Sequence, residues 1–273
     1  MTKVIERFEK MHGQEISGSR DFADIAATVL QRIREHSPRV HCITNTVAQQ
    51  FTANVLLAAG AVPSMTLSPQ EIEGFVAGAD ALLVNLGTFD AERRAAVETA
   101  LQAAAAQGKP WLLDPVFIER SPLRAEFART LVGRKPTVVR LNAAEFAALS
   151  GNDQAGDAPA RFAKAHGAVV ALTGRVDIVA DGGRRVKIAN GDPLMGQVTA
   201  MGCAGSALLC AALAVERDPW LATIAALTAF GVAGDVAGRD AAGPGSFAVA
   251  IIDALHTLDS ATLRMHVKVQ DES

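Results

Sequence analysis

The apolar positions of this chain change period repeatedly, and that change is the first structural signal. Ile25, Val29, Leu30 and Ile33 recur at helical spacing and predict an amphipathic helix from Asp21, while the short run 40–43 after Pro38 predicts a strand. The alternation continues through helix 48–59, apolar run 62–65, helix 69–77, strand 81–84 and helix 91–107. It goes on through strand 111–113, helix 123–132, strand 137–139, helix 143–149 and strand 168–172. Strands separated by helices predict βαβ units, so the fold class is α/β with a mainly parallel central sheet and helices on both faces. Asp181-Gly182-Gly183 supplies the positive φ angles of a tight turn, so its flanking runs predict a hairpin and a mixed edge to the sheet. Beyond Cys203 three helices are expected, over 204–215, 221–237 and 247–258. No repeat, linker or composition break divides the chain, which predicts a polar lead-in over 1–20 and one domain over 21–273.

Charge and composition exclude several function classes. The net charge of −3 is spread along the chain, so the basic footprint of nucleic-acid binding is missing and no nucleic-acid partner is expected. Apolar runs are interrupted before the roughly 20 residues that cross a bilayer, so no membrane association is expected. Alternating charges at Lys3, Glu6, Arg7, Glu9 and Lys10 do not read as a secretory leader, which leaves the cytoplasm as the expected location. Three cysteines, Cys42, Cys203 and Cys210, in no C-x-x-C spacing, predict reduced thiols rather than a disulfide framework or a zinc site.

In an open α/β sheet ligands gather at the carboxyl ends of the strands, so polar residues directly after apolar runs are the first candidates. Four places qualify: Thr44-Asn45-Thr46, Asn85 with Gly87, Asp114-Pro115, and Arg140 with Asn142 and Glu145. Asp114 is either a turn-forming residue before proline or a rim carboxylate able to hold Mg²⁺ through water. Asn142 followed three residues later by Glu145 fits a capping box, and the Glu can equally serve a metal. Residues 198–205 lead through Gly202 into an Ala-rich helix, a physical recipe for binding a phosphate at a positive dipole end, although no Gly-Lys-Ser/Thr of a Walker loop is present. Cys203, close to that helix start, is expected to have its thiol pKa pulled below about 8.5 by the dipole and so to accept a proton.

Taken in order and spacing, the segments VHCITNTVAQQFTANVLLAAGAVPSM, ALLVNLGTF, WLLDPV, VVRLNAAE, ALTGRVD and NGDPLMGQVTAMGC resemble the hydroxyethylthiazole kinase family, from about Val40 to the last long helices. The resemblance implies a ribokinase-like three-layer fold and ATP- and Mg²⁺-dependent phosphorylation of the hydroxyl of 4-methyl-5-(2-hydroxyethyl)thiazole for thiamine synthesis. It also implies a homotrimer with active sites at subunit interfaces. By position it places Met65 and Ala200 at the thiazole with Asn45 nearby, Arg140 and Thr173 at the nucleotide, and Asp114 and Glu145 around magnesium. Cys203, with Gly202 before it, falls where the family has its cysteine and related sugar kinases an aspartate base. This chain departs from the family pattern at Phe117-Ile118-Glu119-Arg120, where a Gly-rich turn is usual, at Leu141 in place of Gly, and at Ala200-Met201 in place of Gly-Thr. Those departures are expected to narrow the pocket. Two alternatives stay open: an NAD(P)H-hydrate dehydratase-like enzyme on the same scaffold, and a paralogue that binds thiazole or nucleotide without turnover.

Overall fold

The structure, a computed structural model, describes residues 19–153 and 156–272; the lead-in expected before residue 19 lies outside the described residues. Among the described residues every strand joins one nine-stranded sheet. Its parallel part contains β1 (Arg39–Ile43), β2 (Val62–Ser64), β3 (Ala81–Asn85), β4 (Trp111–Asp114), β5 (Val138–Asn142) and β6 (Val169–Thr173). Antiparallel β7 (Asp177–Ala180), β8 (Arg185–Ile188) and β9 (Val269–Asp271) complete the order β2-β1-β3-β4-β5-β6-β7-β8-β9. The parallel strands and the hairpin at Gly182 follow the hydrophobic pattern; β9 does not, because Val-Gln-Asp offers one apolar side chain, Val269, to the core.

Two helical layers cover the sheet. One layer holds α1 (Ser19–His36), α2 (Gln49–Ala59), α8 (Met201–Val215), α9 (Pro219–Gly238), α10 (Pro244–Thr257) and α11 (Ser260–His266). The other holds α3 (Ile72–Gly78), α4 (Ala91–Ala106), α5 (Pro122–Val132), α6 (Ala143–Ser150) and α7 (Ala158–His166). Neither α7 nor α11 is evident from periodicity, since each is under three turns long and has few large apolar residues. Proline at the first helical position and an Asp or Ser cap start α5 and α9, with Ser121 accepting from Arg124 N and Asp218 from Trp220 N. Contrary to the expectation from run lengths, α9 is long and apolar enough to cross a membrane. It is nevertheless buried against α1, α8 and α10, which makes it the central helix of the larger core.

Alternation along the central strands sorts side chains between the two layers. Leu83, Leu112 and Val138 enter the core under α8 and α9, while Leu82, Val84, Leu113 and Val139 enter the core under α3 to α6. Continuing the period places Asn85, Asp114 and Arg140 on the α8 face, at the carboxyl ends of three adjacent strands. Leu141 therefore points the other way, into the second core at 1% exposure, and does not narrow the cleft as expected.

Among the buried polar groups, His41 on β1 is fully covered and held by Ser64 Oγ at 2.8 Å and the Thr66 carbonyl at 3.1 Å. The carbonyl can only accept, so Nε2 carries the proton and Ser64 donates to Nδ1. Burial lowers the His41 pKa to about 4, against the raising effect of the Thr66 carbonyl. With the folded value below the unfolded one, neutral His41 favours the fold above pH 6.5, and this contribution is lost as pH falls through about 4. Stability to urea is expected to drop by about 3 kcal/mol more between pH 6.5 and pH 4 in the native protein than in His41→Asn; equal drops would place the acid sensitivity elsewhere.

Candidate active site

The three polar strand ends meet the first turns of α8. Asn85 and Asp114 are partners in the β3/β4 register, and Asn85 Nδ2 donates to Asp114 Oδ2 at 2.7 Å and to Cys203 Sγ at 3.3 Å. Ser206 Oγ donates to the same Asp114 oxygen at 2.8 Å. Arg140 Nη1 donates to the Gly202 carbonyl at 2.9 Å and to Ser206 Oγ at 3.3 Å. Cys203, Asn85, Asp114, Ser206 and Arg140 thus form one hydrogen-bonded chain across β3, β4 and β5. Ser206 was invisible in the sequence, a lone serine in an Ala-rich helix. Its signal is positional: it lies one helical turn after Gly202 and Cys203, on the face turned to the sheet.

Burial raises the Asp114 pKa, and Arg140, Ser206 and Asn85 act against it. Glu145 accepts from Phe117 N at 3.0 Å and from Asn142 N at 2.8 Å, and Asn142 Oδ1 accepts from Glu145 N at 3.0 Å, so the capping box is formed. Burial and the neighbouring charges of Asp114 and Glu119 push the Glu145 carboxyl up, while the two backbone donors pull it down. Both protein hydrogen bonds to Asp114 fall on Oδ2, leaving Oδ1 for another partner. Among the described residues no group of three His, Cys, Asp or Glu could hold a metal. Two mutually repelling rim carboxylates without such a cage suit Mg²⁺, which keeps several waters and takes one or two carboxylates beside a substrate phosphate.

The helix start behaves differently from the expectation at Cys203. Instead of falling, its thiol pKa is pushed up to about 12, first by burial and then by the charge of Asp114, against the weaker pulls of Asn85 and Arg140. A thiol 9% exposed beside a carboxylate loses more from desolvation than the helix dipole returns. Cys203 is therefore protonated at neutral pH. All three cysteines are free and buried.

A cleft of ≈ 530 Å³ opens beside this chain of groups, walled by Arg140 and Thr173 on one side and by Asn190 and Met195 on the other, with Gly202 at its head. Arg140 Nε is buried with no hydrogen-bond partner in the structure, an orphan donor of the kind an anionic ligand satisfies. Asp177, not singled out from sequence, also lines the cleft; its Oδ1 accepts from Gly174 N at 2.9 Å, and burial raises its pKa against that bond and Arg140. Asn45 caps a short 3-10 turn, accepting from Val47 N at 3.1 Å, and Met65 follows β2, half-buried against the larger core. Neither lines the cleft, whereas Met201 does. A further surface cavity of ≈ 600 Å³, near Val62 and Phe75, shares no residue with the hydrogen-bonded chain.

Two of the departures fall on unusual backbone. Ala200, the residue before α8, has φ 74°, and Phe117 has φ 59°. Both lie in the left-handed region, where a side chain costs roughly 1–2 kcal/mol and glycine nothing. A Gly-rich turn at 117 and Gly at 200 are thus what the backbone asks for. Ala200→Gly is expected to raise stability by roughly 0.5–1 kcal/mol in a urea titration, the relieved strain exceeding the added freedom of the unfolded chain; a loss would show that the angle carries no strain.

A solved structure of the pyridoxal kinase from Staphylococcus aureus in complex with AMP-PCP and pyridoxal shares the fold at TM-score 0.62 and 18% identity, covering 86% of this chain and 98% of its own. A ribokinase-like superfamily protein from Enterococcus faecalis aligns at TM-score 0.64 and 15% identity, covering 83% of this chain and 89% of its own. The class is therefore a ribokinase-like α/β fold. Within it, the hydroxyethylthiazole kinase family model matches residues 30–261. A probable hydroxyethylthiazole kinase of Agrobacterium fabrum is 43% identical over 94% of this chain and 99% of its own. A hydroxyethylthiazole kinase of Cereibacter sphaeroides is 45% identical over 88% and 96%. The structure of a hydroxyethylthiazole kinase protein from Pyrococcus horikoshii superposes at TM-score 0.87 with 37% identity, covering 91% of this chain and 99% of its own. This chain belongs to the hydroxyethylthiazole kinase family, and it is a kinase by that membership.

Proposed function

We propose that this enzyme transfers the γ-phosphoryl group of ATP to the hydroxyl of 4-methyl-5-(2-hydroxyethyl)thiazole in thiamine synthesis or salvage, in the cytoplasm, as a single domain over 21–273. The observation that carries the reading is the hydrogen-bonded chain from Cys203 to Arg140 at the head of a nucleotide-sized cleft. The nucleotide lies between Thr173 and the wall at Asn190, with its phosphates toward Gly202. Arg140 exchanges the Gly202 carbonyl for phosphate oxygens. First-turn amides of α8, which no side chain caps, face the transferring group and neutralise its charge. Asp114 and Glu145 would hold Mg²⁺, which would supply further charge neutralisation when bound. Met65, Ala200 and Asn45 contact the thiazole.

Phosphoryl transfer through a loose transition state asks for positioning more than for a base. A protonated Cys203 orients the alcohol rather than deprotonating it beforehand. Cys203→Ala is expected to lower kcat by no more than about 10²-fold, the low end of general-base effects, and the wild-type rate is expected to show no thiolate limb between pH 6.5 and 8.5. A rate rising tenfold per pH unit in that window, lost in the variant, would restore the base role.

Val47, Leu57, Val62 and Phe75 are exposed large apolar side chains on or next to α2, edge strand β2 and α3, and Val62 and Phe75 line one surface cavity. These residues support an interface at this edge, which in the proposed homotrimer meets the next subunit; light scattering of Phe75→Asp is expected to read a monomer mass. ADP release measured with ATP, Mg²⁺ and the thiazole alcohol tests the whole reading. Turnover supports it, and ADP formed only with another alcohol would move the substrate while keeping the chemistry.

A further inference from the structure

The far wall of the cleft, Asn190 to Gly196, is clamped from outside the site. It lies directly against the backbone of α9. A Cβ on Gly231 would stand 2.8 Å from Asn190 Cβ, one on Gly234 would stand 2.7 Å from Met195 Sδ, and one on Gly238 would collide with Asp192 Oδ2. Three glycines on one helical face thus set the distance between wall and helix.

Asp235, on the same helix, fixes the wall's position along that groove. Its Oδ2 accepts from Asn190 Nδ2 at 2.7 Å, its Oδ1 accepts from Gly191 N at 3.2 Å, and Lys268 Nζ reaches both oxygens at 3.2 Å. Asn190 then spends the rest of its amide on the C-terminal segment, donating to the His266 carbonyl at 2.7 Å and accepting from Lys268 N at 2.7 Å. The Asp235 side chain is 14% exposed and does not line the cleft, so what it does there it does through Asn190 and Gly191.

We propose that Asp235 is a positioning residue for nucleotide binding, holding the Asn190–Gly196 wall at the width the nucleotide needs and tying that wall to the C-terminal segment 266–268. The inference rests on the cleft being the nucleotide site. A near-isosteric Asp235→Asn puts an amide where two donors already point, so the wall loses one acceptor and the ion pair together. A nucleotide bound between this wall and Thr173 then meets a wider, less ordered cleft. The acceptor alcohol, bound near Cys203, does not touch the wall.

The test uses the full-length enzyme with AMP-PCP binding by calorimetry and steady-state kinetics for both substrates. Asp235→Asn is expected to raise the AMP-PCP Kd and the KM for ATP about tenfold, with kcat and the acceptor KM within threefold of wild type. Gly234→Ala, which presses on Met195 from the other contact, is expected to show the same selective change. Hydrogen exchange is expected to show nucleotide protecting amides 266–269 in wild type and not in Asp235→Asn. Folded variants with unchanged ATP affinity, or with both KM values raised alike, would overturn the positioning role; a wild type that fails to bind AMP-PCP would instead overturn the assignment of the cleft.

Discussion

Asp114→Ala is expected to lower kcat on the order of 10³-fold and to shift the Mg²⁺ requirement to higher concentration, while the variant unfolds at no lower urea concentration than wild type. The two halves of this expectation share one cause. Asp114 is a buried carboxylate whose folded pKa lies above its unfolded value because desolvation outweighs Arg140, Ser206 and Asn85. A carboxyl raised in this way favours the fold only in acid, and that contribution is lost as pH rises through the folded value. The desolvated carboxylate is therefore a burden on stability that function retains. Kinetics across a Mg²⁺ titration and urea unfolding at pH 7.5 check both halves; an unchanged Mg²⁺ curve would remove Asp114 from the metal site, and a marked loss of stability would show that its hydrogen bonds outweigh its desolvation. Glu145→Ala is expected to shift the same Mg²⁺ curve but also to destabilise, because it abandons the Phe117 and Asn142 amides.

Arg140→Leu is expected to cost about 10³-fold in kcat/KM for ATP and, in contrast to Asp114→Ala, roughly 1–3 kcal/mol of stability. The guanidinium is the cation that opposes the desolvation of both Asp114 and Asp177. Removing it leaves buried Asp114 and part-buried Asp177 without their cation and the Gly202 carbonyl without its donor. In the double variant with Asp114→Ala the stability cost is expected to shrink, because one of the stranded charges is gone; full additivity of the two changes would mean that the residues do not couple. Activity is not expected to recover. A variant that regained stability while remaining inactive would separate the electrostatic role of Arg140 in the fold from its role at the phosphates.

How much of this site is legible in a single sequence depends on the kind of information each residue carries. Asp114, Asn85 and Arg140 stand at the ends of apolar runs, and the rule that ligands collect at strand carboxyl ends finds them without any structure. Glu145 is legible only as an ambiguity, and the ambiguity is real: one side chain closes the capping box and stands beside Asp114. Ser206 and Asp177 are not legible, because a serine in a helix and an aspartate after a turn have ordinary local explanations; only the crossing of α8 over β4 and β5 gives Ser206 its partners, and only the assembled sheet sets Asp177 near Arg140. Cys203 is legible as a position and misleading as a chemistry.

The amino-acid sequence by itself determined the α/β alternation, the parallel strands, the hairpin edge and the membership of the family. These follow from local periodicity, from turn chemistry and from the order of motifs, none of which needs distant parts of the chain to meet. Only the tertiary structure decided the sign of the Cys203 shift, which the helix dipole alone sets one way and burial beside Asp114 sets the other. It also decided that Leu141 faces the core, that Ala200 and Phe117 occupy glycine's region of backbone space, and that Asp235 reaches the cleft wall. The reason is common to all four: burial, facing and long-range hydrogen bonds depend on which elements pack together, and that is fixed only when the whole sheet is assembled.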